Sequence, residues 1–159
     1  MKNVVLLLTL CGFSASAVSD EVFDQTQLAR FMSLDLLNAH CVLLGKYDGS
    51  LSETTEEYKR YLANLVVVQT RLKQQMQQLI AFKKANGEDS QGVAPLISAL
   101  SVDASLKNVA GRYKQGDAAA VQQGLRQLLN TKGPSKLPSE LANCNDVMQY
   151  TQMIIKENK

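Results

Sequence analysis

Apolar side chains recur every seven residues through the middle of this chain, and that period constrains the fold more than any other feature. Tyr58, Leu65, Leu72 and Leu79 form one line, and Tyr61, Val68 and Phe82 form the next, interrupted by Gln75. Leu62, Met76 and Ile80 widen the stripe. A period near 3.5 residues belongs to a helix packed in left-handed fashion against neighbours; a strand alternates its side chains instead. The pattern predicts one long helix from Glu53 to Ala85, closed by Asn86-Gly87. Thr54 and Glu57 have the spacing of a capping box at its start. Gln69, Gln74, Gln77, Gln78, Arg71, Lys73 and Lys84 fall mostly off the stripe and read as a solvated face.

A second strongly apolar helix precedes it. Asp24 or Thr26 can cap it, and it should run to about Leu44 and stop at Gly45. Phe31, Leu34, Leu37, Cys41 and Leu44 form one stripe, and Met32, Leu36, Ala39 and Leu43 another. A helix apolar on most of its circumference is enclosed by others. Arg30, Ser33 and His40 lie near one line and read as its wet edge. After the long helix, Pro95–Leu100 suits a short helix, and a further one opens at Asp103 or Ser105 and runs to about Lys114. Asp117 caps a helix to Leu129, with Lys132-Gly133-Pro134 as its stop. The last helix starts at Pro138 and Ser139 and carries Leu141, Cys144, Met148, Thr151 and Ile155 on one stripe. No segment shows strand alternation. The expected fold is all-α: a single-domain bundle of four main helices plus one or two short ones, the long one heptad-patterned.

The first residues point to a compartment. Met1-Lys2, the apolar run Val4 to Phe13 and the small residues Ser14-Ala15-Ser16-Ala17 have the three-part layout of a secretory signal. The expected division is a signal peptide at 1–17 and a helical domain at 18–159, periplasmic or secreted after cleavage near Ala17. A lipoprotein signal ending at Cys11 is the alternative, although Leu10 is large for the position before a lipidated cysteine. Two cysteines remain after cleavage. Both sit on apolar stripes of outer helices in an oxidising compartment, so Cys41 and Cys144 are expected to form a disulfide.

Composition narrows the chemistry. A net charge of +2 over 159 residues is too small to make nucleic acid the expected partner. One His and two mature Cys do not supply the ligand set of a zinc site, and there is no C-x-x-C or C-x-x-C-H. A haem of the four-helix type would need His40 with a facing Met148 or Met153, and methionines at helical spacing are usually core filling. His40 and Cys41 point about 100° apart on a helix and do not make a catalytic pair. Glu53, Glu56 and Glu57 read as first-turn residues that complement a helix dipole rather than as acid–base carboxylates. No metal, cofactor or catalytic constellation is therefore expected.

Tyr113-Lys114-Gln115-Gly116-Asp117, followed by Val121, Leu125 and Leu128, resembles the middle of a tetratricopeptide repeat. The likeness occurs once, and such repeats need about three copies to bury their faces, so it implies a helical hairpin. The order of Cys41, that hairpin and Cys144 is similar in layout to the periplasmic amidase-immunity proteins of type VI secretion. No motif is shared, so no residue role is carried over. The expectation is an exported, non-catalytic binding protein that meets another protein as adaptor, inhibitor, immunity or chaperone-like factor. The alternative is a carrier of a small ligand or haem between helices. Tyr47, an aromatic in a turn, with Asp48, Glu53, Glu56 and Glu57 around it, is the expected partner-binding segment.

Overall fold

The computed structural model describes residues 23–131 and 133–157. The proposed signal peptide, Cys11 and Ala17 lie outside the described residues. Six α-helices are present among them, with one 3-10 turn and no strand: α1 (Gln25–Tyr47), α2 (Glu56–Ala85), α3 (Val93–Ala99), α4 (Val102–Ala110), the turn Gly133–Ser135 between α5 (Ala118–Asn130) and α6 (Cys144–Glu157). The fold is all-α.

α1 is the organising element. It packs against α2, α4, α5, α6 and the 3-10 turn, while α3 packs on α2. Phe31, Leu34, Leu37, Ala39, Cys41, Val42 and Leu43 are all buried. By length and composition α1 is apolar enough to cross a bilayer, but most of it is enclosed by the other helices. Asp24 caps it, accepting the Thr26 amide at 2.8 Å. It does not stop at Gly45. The chain turns at Asp48-Gly49, where Gly49 has φ +76°. Gly45 is instead a packing position: a Cβ there would overlap the Leu51 side chain.

α2 begins one residue later than the capping box implies. Thr55, not Thr54, is the cap, its hydroxyl accepting the Tyr58 amide at 3.2 Å. The stripe is buried at Tyr58, Tyr61, Leu65, Val68, Leu72 and Met76. Further along, Leu79 and Ile80 are half-buried and Phe82 is exposed, its ring 5.5 Å from that of Phe23.

The later boundaries shift for local reasons. α3 starts before Pro95, at Val93. Ser101 caps α4, accepting the Ala104 amide at 3.1 Å, and α4 ends before Gly111 instead of reaching Lys114. Asp117 caps α5 as expected, 3.0 Å from the Ala120 amide. α6 starts at Cys144 rather than Pro138: Asn143 Oδ1 accepts the Asp146 amide, and Asp146 Oδ2 accepts the Ala142 amide, each at 3.0 Å. The irregular segment before it buries Leu137 and Leu141.

Cys41 and Cys144 are bonded, with Cα atoms 5.6 Å apart, joining α1 to the start of α6. Around the bridge, the Tyr61 hydroxyl donates to the Cys144 carbonyl at 3.0 Å. Burial, with the Glu57 carboxylate, pushes the Tyr61 phenol up to about 12, so it stays protonated and donating.

Candidate functional site: a groove beside Asp35

An open cavity of about 440 Å³ lies between α1, α2, α3 and α4. α1 supplies Met32, Asp35 and Leu36, and α2 supplies Leu72 and Met76, spaced at i, i+3 or i+4 so that each set shares a helix face. Leu96, Ala99 and Leu100 come from the α3 segment, and Ala104, Ser105, Asn108 and Arg112 from α4 and the turn after it. Two rim side chains are large and apolar yet in water: Met32 is 48% exposed and Leu96 55%. α3 contributes no buried residue at all, so the groove is covered on one side by a thinly packed helix.

The polar residues of the groove form a network. Asp35 is only 8% exposed. Gln69 Nε2 donates to Asp35 Oδ1 at 3.1 Å and to Ser105 Oγ at 2.9 Å. Ser105 therefore gives its own proton to Asp35 Oδ2, 2.8 Å away. Both carboxylate oxygens accept, an arrangement suited to the ionised form. Burial raises the Asp35 carboxyl above its ordinary range, and the Ser105 and Gln69 hydrogen bonds pull it back. Asp35 makes no ion pair among the described residues. Arg112 lies on the exposed edge, its guanidinium donating to Asn108 Oδ1 at 3.2 and 3.3 Å.

His40 is not on a wet edge. It is 1% exposed, one turn from Leu36. Its Nδ1 is 2.7 Å from the Leu36 carbonyl, which only accepts, so Nδ1 carries the proton and Nε2 accepts the Tyr113 hydroxyl at 2.8 Å. Burial holds the imidazole below its usual range; the Leu36 carbonyl opposes this, and the Arg112 charge adds to it. Gln69, read as part of a solvated face, is likewise buried. His40 and Gln69 are buried for one reason: each meets a second polar side chain that is distant in sequence.

The Lys46–Glu57 segment is arranged differently from an open anchor. Tyr47 is half-buried against the core. Asp48 Oδ1 accepts the Ser50 amide at 2.8 Å. Glu53 pairs with Lys46 at 3.3 Å and Glu56 with Lys59 at 2.7 Å, while Glu57 is exposed near Tyr61. Lys46 Nζ also stands 5.3 Å from the centre of the Tyr58 ring. These residues do not line the groove. Another cavity, beside Ala29, Leu37, Leu128 and Pro134, has about 170 Å³; two more open depressions, of about 400 Å³ at Arg71, Gln74 and Gln77 and about 390 Å³ at Glu140, Tyr150 and Met153, are close to the groove in volume. No group of three or more His, Cys, Asp or Glu side chains is placed to hold a metal ion among the described residues.

No protein-family model matches the chain, and the curated proteins and the solved structures give no match either.

Proposed function

We propose that this chain is an exported, non-catalytic binding protein that carries a small amphiphilic ligand in the groove between α1, α2, α3 and α4. The observation that supports this most is the combination of a cavity of about 440 Å³ with exposed Met32 and Leu96 on its rim. Small-molecule sites are concave, mostly apolar and about 300–1,000 Å³, with a few placed polar groups. Asp35, Ser105, Asn108 and Arg112 are such groups. Export is supported by the signal-like leader and by the Cys41–Cys144 bridge, since disulfides persist in oxidising compartments. In this reading the longer helices form the bundle, and the heptad stripe of α2 is its packing surface.

A protein-binding role through Lys46–Glu57 is the weaker reading. Its aromatic is half-buried, and Glu53 and Glu56 already face lysines.

Native mass spectrometry of the mature protein, taken without denaturation from its own exported fraction, tests the proposal. The wild type should retain a small-molecule mass. Ala104→Trp, which fills the groove from α4, should lose it while keeping its helical circular dichroism. An adduct retained equally by both proteins would overturn the assignment.

A further inference from the structure

A carboxylate sits almost out of water in the wall of an apolar groove, and among the described residues nothing with a positive charge is bonded to it. Asp35 is 8% exposed, and its donors among the described residues, Gln69 and Ser105, are neutral. Buried charges are ordinarily paired, because hydrogen bonds from neutral groups replace only part of the lost hydration. Met32 and Leu36, at one-turn spacing beside Asp35 on α1, and Leu72 and Met76 on α2 line the same cavity. An attraction formed there acts in a low effective dielectric and is poorly screened by salt. Arg112 is the opposite case: it is exposed and hydrated, so its pull on an anion is weak.

We propose that the groove selects an apolar ligand bearing one ammonium or guanidinium group, with Asp35 as its counter-charge and the Met32, Leu72, Met76 and Leu100 side chains around its body. This rests on the reading of the groove as a ligand site and adds the chemistry of what it selects. The carboxylate keeps its Ser105 and Gln69 hydrogen bonds and offers its remaining lone pairs to the cation. Each carboxylate oxygen accepts one of those bonds and keeps a lone pair for a second donor, so a group with several N–H bonds suits it better than a quaternary one.

Isothermal titration of the mature protein near neutral pH, with decylammonium, decanol and decanoate below their micelle concentrations, tests this. The three probes share one chain and differ in charge. Decylammonium should bind about tenfold tighter than decanol, a difference of about 1.4 kcal/mol, and decanoate should bind no tighter than decanol. Asp35→Asn preserves the shape of the side chain and should abolish the preference for the cation, leaving decanol affinity unchanged. Equal binding of decylammonium and decanol to the wild type would overturn the charge assignment and leave the groove standing, and that ratio needs no variant to fold. Preference for decanoate, lost in Arg112→Gln, would overturn it in favour of an anion site. Failure of all three probes to bind would overturn the ligand reading of the groove itself.

Discussion

The His40 imidazole and the Tyr113 phenol hold one another inside the fold, with Nε2 and the hydroxyl 2.8 Å apart and the rings edge-on at 81°. The pair ties the middle of α1 to the turn after α4, the same turn that carries Arg112. It fixes how α4 lies against α1, and so the width of the groove between them. Removing either partner leaves a polar atom with no counterpart in a buried place. His40→Ala should cost about 2–4 kcal/mol in urea unfolding and Tyr113→Phe about 1–2 kcal/mol. A change below about 0.5 kcal/mol in His40→Ala is what a surface residue would give.

The same histidine predicts a pH dependence. Its folded pKa lies below its ordinary value of 6.5, so the unfolded chain takes up the proton first as pH falls. The stability tied to neutral His40 is complete above 6.5 and declines as pH drops through 6.5 toward the folded pKa. Asp35 works the other way. Its raised pKa means that protonation relieves the fold as pH falls toward its folded pKa, above 3.8. Unfolding free energies between pH 8 and pH 5 should therefore fall more steeply in the wild type than in His40→Gln. Parallel slopes would show that His40 titrates alike in both states.

Gly124 is coupled to that pair. A Cβ at Gly124 would overlap the Tyr113 hydroxyl. In the wild type, Gly124→Ala should destabilise by about 1–3 kcal/mol as the ring is displaced. In a Tyr113→Ala background the sign should reverse, because alanine is the better helix former by about 1 kcal/mol. A double-mutant cycle by chemical denaturation measures the coupling. Additive effects would mean that the two residues do not meet.

The covalent bridge between α1 and α6 spans a sequence separation of 103. Thiol counting on denatured, unreduced protein comprising residues 18–159 should find no free thiol. Reduction should lower stability by about 2–4 kcal/mol, less than the long loop allows in the chain-entropy model, because the reduced chain keeps its own contacts.

Helix content, a long α2 and the burial of α1 were legible in the sequence. Those signals are local, and local rules set them. Cys41 and Cys144 pair, but α1 is the central helix rather than an outer one, and Cys144 opens α6 instead of lying within it. The groove was not legible, and neither were the buried polar pairs, because each depends on where one helix meets another. Asp35 sits among Leu34, Leu36 and Leu37, and nothing in its own segment says what meets it; its partners Gln69 and Ser105 lie 34 and 70 residues away. His40 shares a line with Arg30 and Ser33 that reads as polar, and Tyr113 closes it off from 73 residues away. Boundaries moved where tertiary contact overrode a breaker, as at Gly45 under Leu51, or where a neighbouring hydroxyl gave the better cap, as at Thr55. One signal was available for the site: an acidic residue inside an otherwise apolar helix must find a partner or a ligand.

The ligand groove is tested most directly by the methionine methyl groups. Met32 and Met76 line it, whereas Met148 is buried on α6 and Met153 lies on the surface of the same helix. In carbon–proton correlation spectra of the mature protein, titrated with decylammonium, the Met32 and Met76 resonances should move together along one saturating curve. Those of Met148 and Met153 should stay where they are. Saturable shifts at Met148 or Met153 with Met32 and Met76 unmoved would place the binding elsewhere and contradict the account.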